Sequence, residues 1–146
     1  MELTDILTAH LIREEGFRSH AYVDSLGFLT IGIGRLIDQR KDGSGITREE
    51  AEYLLANDIK RVTAQLNVAL PWWDELSDVR RAVLVSMAFQ MGVGGLLTFT
   101  NTLRHIRQGN YFEASVSMFD SKWARQTPNR AIRLAAAMRS DDPRDL

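Results

Sequence analysis

Apolar residues open the chain with a helical spacing: Leu3, Ile6, Leu7, Leu11 and Ile12 mark one side of a short amphipathic segment. It stops at Glu14, Glu15 and Gly16, where the glycine can close the helix in a left-handed cap conformation. From Phe17 to Ile37 the pattern changes to that of strands. Tyr22, Val23, Phe28, Leu29, Thr30, Ile31 and Ile33 are β-formers, and Asp24, Ser25 and Gly27 interrupt them with turn chemistry. This predicts a hairpin or a small three-stranded sheet. Gly32 and Gly34 fall inside the last expected strand, where they permit a close backbone approach or a bulge rather than strengthen the sheet.

Asp42-Gly43-Ser44-Gly45 reads as a loop, and Thr47 with Glu50 forms a capping box ahead of a periodic stretch from Arg48 to about Val68. A helix of about 20 residues is roughly 30 Å long, enough to bridge two lobes. Pro71 ends it, Asp78 is placed to cap an apolar helix from Val79 to Met91, and Gly92, Gly94 and Gly95 allow a sharp reversal. A further helical segment starts at Thr100 or Asn101 and ends near Gly109; Asn110 caps Tyr111 to Phe119. Thr127 before Pro128 marks the start of a last helix, which runs to about Arg139 ahead of a polar tail. The fold class expected is α+β with a small sheet in an N-terminal lobe at about 13–47 and a connecting helix at about 48–68. An all-helical C-terminal lobe follows at about 69–146, with the first helix packed against it.

Composition narrows the chemistry. Of 146 residues 45% are hydrophobic and 25% charged, an ordinary globular balance, and no run approaches the roughly 18 apolar residues of a membrane span. Glu2 and Asp5 stand where a secretory signal needs basic residues, so synthesis is expected to end in the cytoplasm. The absence of cysteine removes disulfides, thiolate catalysis and cysteine-bound zinc. Net charge is -1, but residues 71–146 hold 10 basic and 8 acidic side chains, and between Thr100 and Arg139 seven basic residues face two acidic ones. Such a stretch suits a polyanion, or is a solvated helical surface with scattered arginines.

The three histidines, His10, His20 and His105, lie far apart and outside any serine or metal motif. Asp38, Asp42, Gly43 and Glu49 fall at positions 1, 5, 6 and 12 of a calcium-loop template, yet Arg40 occupies a ligand position, which argues against calcium. Carboxylates remain. Glu15 stands at a helix C-terminus, where the macrodipole disfavours negative charge and so suits a group that must hold a proton. Asp24 follows nine residues later in the hairpin turn. Two such acids can flank a substrate as glycoside cleavage requires, although spacing alone equally describes a helix end and an ordinary Asp-Ser-x-Gly turn.

The surrounding residues decide between these readings. Glu15-Gly16 with Arg18, Tyr22, Asp24, Gly27 and Thr30-Ile31-Gly32-Ile33-Gly34 closely resembles the catalytic segment of the phage-type lysozymes of glycoside hydrolase family 24, those of the T-even bacteriophages among them. The resemblance resumes at Val79-Arg80-Arg81, Phe89-Gln90-Met91-Gly92, Phe99-Thr100-Asn101, Trp123 and Gln126-Thr127-Pro128-Asn129-Arg130-Ala131, and so covers nearly the whole chain. It implies a lysozyme-like two-lobe fold with Glu15 as general acid, Asp24 as the carboxylate that directs water, and Thr30 as the hydroxyl that helps hold it. It implies inversion, hence carboxyls on the order of 6.5 to 9.5 Å apart. Arg130 matches the arginine that pairs with the catalytic glutamate. Leu36, Phe89, Gln90, Thr102, Ser117, Trp123 and Gln126 match substrate-contacting positions; for Phe89 and Trp123 core packing is an equal alternative. Arg35 stands where the nearest relatives carry a histidine, and the segment between Leu36 and Thr47 is shorter than theirs.

The function implied is a muramidase, an endolysin that cuts the β-1,4 bond between N-acetylmuramic acid and N-acetylglucosamine in peptidoglycan and lyses bacteria. It would act as a monomer, without metal, organic cofactor, nucleic acid or membrane insertion. The implied enzyme stays in the host bacterial cytoplasm until a separate membrane-permeabilising protein, a holin, releases it to the wall. Two other readings stand beside it: a non-catalytic wall-binding or scaffold protein on the same fold, and a lytic transglycosylase, which needs the glutamate but no water-directing aspartate. Nucleic-acid binding is more remote, because no recognition motif accompanies the modest charge asymmetry.

Overall fold

The computed structural model describes residues 2–42 and 44–146. Gly43, which the sequence places in a loop and at the sixth calcium-loop position, lies outside the described residues. Among those described there are seven α-helices and one three-stranded antiparallel sheet, so the α+β expectation holds. Helix α1 (Leu3–Glu15) is followed by β1 (Arg18–Val23), β2 (Leu29–Gly32) and β3 (Arg35–Leu36), then by α2 (Arg48–Ala69). A 3-10 turn at Trp73–Glu75 leads to α3 (Asp78–Leu97), α4 (Thr100–Arg107), α5 (Tyr111–Met118), α6 (Lys122–Gln126) and α7 (Pro128–Ser140).

The chain divides into two compact units, residues 1–54 and 55–146, with the boundary inside α2. In the first, β1 pairs with β2 and β2 with β3 in sequence order. Gly16 has the expected positive φ of 70° but a ψ of 173°, so α1 opens directly into extended chain and not into a left-handed cap. Gly34 is not inside a strand: β2 ends at Gly32, and Gly34, with φ 68°, sits in the turn before β3. The irregularity in the ladder falls in β1 between Arg18 and Tyr22. The capping box at the start of α2 is present, with the Thr47 N–H donating to Glu50 Oε2 at 2.9 Å and the Glu50 N–H to Thr47 Oγ1 at 3.2 Å. Arg35 forms a two-pronged ion pair with Glu50 at the surface, its Nη1 3.0 Å from Oε2.

The second unit holds the apolar core: among the described residues all buried apolar side chains lie between Val62 and Met138. Leu66, Leu84, Met87, Leu96, Ile106, Met118 and Met138 are its largest fully buried members. Three caps differ from expectation. Ser77, not Asp78, caps α3 by accepting from the Arg80 N–H, because Asp78 is already the first helical residue. Asn110 and Thr127 occupy N-cap positions without capping through their side chains, and the Thr127 hydroxyl donates backwards to the Trp123 carbonyl. Of the three glycines expected to reverse the chain only Gly92 breaks the helix, with φ 79° and ψ 159° inside α3; Gly94 and Gly95 continue it. Helix α6 was not expected from the sequence: its five residues carry too little periodicity, and it is held by a Ser121 cap.

Candidate active site

Glu15 is the last residue of α1, and its side chain lies over the β2–β3 turn. A methyl group on the Gly34 α-carbon would sit 2.8 Å from Glu15 Oε2 and 2.9 Å from its Cδ. Only a glycine admits the carboxyl so close to the backbone. This is the close approach that the glycine pattern predicts, at Gly34 and not at Gly32, where the space is open.

Asp24 and Thr30 are built on one hairpin. Oδ1 of Asp24 accepts from the backbone N–H groups of Leu26, at 2.9 Å, and Phe28, at 2.8 Å, which folds the turn around the carboxylate. The Asp24 N–H donates to the Phe28 carbonyl at 2.9 Å, and Gly27, at φ 86°, closes the loop by donating to the Asp24 carbonyl. Thr30 is buried, and its hydroxyl donates to the same Phe28 carbonyl at 3.1 Å. With its hydrogen used in that bond, the Thr30 oxygen offers lone pairs, so it can hold a water as an acceptor. Strand register sets Tyr22, Thr30 and Leu36 side by side on one face of the sheet. Asp24 lies just past the end of β1, and Leu36, expected at the substrate, is Thr30's direct neighbour.

Close beside this turn is a buried carboxylate that sequence reasoning treated only as a rejected calcium ligand. Asp38 is 4% exposed and accepts from the Leu29 N–H at 3.0 Å, from the Arg40 N–H at 3.0 Å, and from the Arg40 guanidinium at 2.8 and 2.6 Å. The Arg40 side chain and then the Leu29 N–H hold the Asp38 carboxyl well below the usual carboxylate range. Arg40 thus neutralises the buried Asp38 carboxylate.

The second unit brings five of the expected substrate contacts together. Gln90, Thr102, Ser117, Trp123 and Gln126 line one groove of about 570 Å³, with Asn101, Asp120 and Lys122 also on its polar wall. The last two were missed because the sequence assigns no element between Phe119 and Thr127. Trp123 is buried, packs edge-to-face on Phe99 with centroids 5.9 Å apart, and donates its indole N–H to Gln90 Oε1 at 2.8 Å. Its ring therefore serves the core and the groove wall at once, while the amide nitrogen of Gln90 stays available as a donor. Thr102 and Ser117 hydrogen-bond each other at 2.7 Å. Phe89 is not with this group. It lines a separate apolar groove with Ile59, Val85 and Arg130, because consecutive residues of a helix point about 100° apart. Arg130 Nη2 donates to both the carbonyl and the hydroxyl of Ser86, each at 2.9 Å, which ties α7 to α3. Among the described residues no cluster of histidine, aspartate and glutamate has the make-up of a metal site.

The family model described as phage lysozyme matches residues 12–138. The chain is 31% identical to a protein named Probable T4-type lysozyme 1 of Dictyostelium discoideum, over 86% of this chain and 88% of that one. It is likewise 31% identical to the endolysin of Salmonella phage P22, over 88% of this chain and 89% of the endolysin. A peptidoglycan hydrolase of Pseudomonas phage phiKMV, gp36, is 38% identical over 83% of this chain, which corresponds to only 14% of that much longer protein. The matched span contains Glu15, Asp24 and Thr30 as well as both grooves of the helical unit, and on this agreement of sequence and architecture the chain belongs to the phage lysozyme family.

Proposed function

We propose that the chain is a peptidoglycan muramidase that hydrolyses the β-1,4 bond between N-acetylmuramic acid and N-acetylglucosamine with inversion at the anomeric carbon. The observation that carries this reading is the shared anchor of Asp24 and Thr30 on the backbone of Phe28, with Glu15 set down on Gly34. In the proposed reaction Glu15 gives its proton to the departing glycosidic oxygen. Asp24 Oδ1 is occupied by the turn, so Oδ2 is the oxygen that accepts a proton from the attacking water, and the Thr30 lone pairs orient that water. Positive charge developing on the sugar ring is offset by the Asp24 carboxylate.

Gln90, Thr102, Ser117, Trp123 and Gln126 then offer amide, hydroxyl and aromatic surface to acetamido and peptide groups. Leu36 is assigned as a sugar contact beside Thr30, and Phe89 as an apolar contact. The basic surface of the second half suits an anionic wall polymer, so activity falls as salt screens it. The enzyme works as a monomer on the cell wall, reached from the host cytoplasm once a holin opens the membrane. Clearing of purified peptidoglycan tests the reading. Glu15→Gln should lose about 10²- to 10⁴-fold in rate at unchanged thermal stability, and the new reducing end should appear first as the inverted anomer by NMR. A retained anomer, an anhydro sugar, or full activity of the variant would each overturn it.

A further inference from the structure

We propose that Asp38 and Arg40 form a positioning clamp that holds the Asp24–Thr30 turn in its working geometry, an inference that rests on the muramidase reading of that turn. Neither residue takes part in the carboxylate chemistry, yet together they touch Gly27, Phe28 and Leu29, the stretch of turn between Asp24 and Thr30. Asp38 accepts the N–H of Leu29, the residue immediately before Thr30. Arg40 Nη2 donates to the Gly27 carbonyl at 2.7 Å while its other donors grip Asp38. The Arg40 guanidinium lies 5.1 Å from the centroid of the Phe28 ring and the Lys41 ammonium 4.1 Å from it. Gly27, Phe28 and Leu29 are thereby fixed from one side, and Phe28 is the residue whose N–H and carbonyl hold Asp24 and Thr30.

The chemistry of the pair suits a brace. A guanidinium presents a rigid fork that can bind a carboxylate and a carbonyl at once, whereas a lysine ammonium is a single point of charge. Asp38 is almost wholly buried, so its charge stays there only because Arg40 and two backbone N–H groups satisfy it. Releasing the pair frees the inner side of the turn without removing a catalytic atom. A shift of about 1 Å in a reacting group can cost on the order of 10²-fold in rate, so a small relaxation is enough.

The test compares Asp38→Asn, Arg40→Met, Arg40→Lys and the Asp38→Asn/Arg40→Met double variant in steady-state hydrolysis of soluble peptidoglycan fragments, with thermal unfolding and amide NMR of each. Arg40 has a side chain 66% exposed, so its replacement leaves no core cavity and carries the test if Asp38→Asn fails to fold. Arg40→Met is expected to lower kcat roughly 10- to 100-fold, with KM within about twofold because the binding groove is untouched. The Leu26 and Phe28 amide signals should move, Arg40→Lys should recover only part of the rate, and the double variant should be no worse than Arg40→Met. Unchanged kcat in the folded variants overturns the clamp, as does a loss that tracks the unfolded fraction alone. Asp24→Asn in the same assay separates the two readings. Full activity there refutes the carboxylate mechanism itself, whereas an inactive Asp24→Asn beside fully active clamp variants refutes only the clamp.

Discussion

Replacing Gly34 by alanine perturbs Glu15, the proposed acid, from the backbone side. The new methyl would lie 2.8 Å from Glu15 Oε2 and 2.9 Å from Cδ and Cγ, against 3.4–4 Å for ordinary contact, so the carboxyl must retreat by about 0.5 to 1.2 Å. The glutamate is the far end of a flexible side chain, and moving it costs little stability. The backbone adds its own term: at φ 68° an L-residue is disfavoured by ~1–2 kcal/mol. Gly109, at φ 76° with open space around its α-carbon, carries the same strain and no contact, and is the natural control. Both Gly34→Ala and Gly109→Ala should therefore lose ~1–2 kcal/mol in denaturant unfolding. Only Gly34→Ala should also lose about 10- to 100-fold in kcat for peptidoglycan hydrolysis, as expected for a displaced proton donor. If Gly34→Ala kept the wild-type kcat while showing the stability loss of its control, Glu15 would not be positioned by this contact and its assignment as acid would lose its structural support.

Acid sensitivity should follow Asp38 and Glu50. Both carboxyls are held below their ordinary values of 3.8 and 4.5, Asp38 chiefly by the Arg40 side chain and Glu50 chiefly by the Thr47 N–H. Groups lowered in this way add stability that is complete above the ordinary value and lost as pH falls through the lower folded one. Unfolding free energy should thus drop between about pH 5 and pH 2, and Asp38→Asn should flatten that drop while lowering stability at neutral pH; an equal drop in wild type and variant would disprove the linkage. In the helical unit Leu84→Ala should cost ~2–5 kcal/mol by leaving a cavity at a fully buried site, measured by denaturant titration. A cost below about 1 kcal/mol would mean that the core repacks around it.

Local chemistry was legible in the sequence wherever one short segment contains both the cause and its effect. The Thr47 and Glu50 capping box, the end of α2 before Pro71, the Asp24 turn and proline at the first position of α7 depend on residues within a few positions of each other, and they formed as read. The order of acids and hydroxyl along Glu15, Asp24 and Thr30 is likewise a property of the chain itself. Tertiary contact decided the rest. That Gly34, not Gly32, receives the glutamate depends on where α1 ends above the β2–β3 turn, and no pattern of spacing reports it. Arg40 looked like a spoiled calcium ligand until the fold of the first unit set its fork on Asp38 and on the Gly27 carbonyl, 13 residues away. Phe89 and Gln90 are adjacent in sequence and part company on the helix surface, while Gln90 and Trp123 are 33 residues apart and share a hydrogen bond. Periodicity fixes which way a side chain leaves its own helix, but the partner it meets depends on packing between elements, which a linear pattern does not encode.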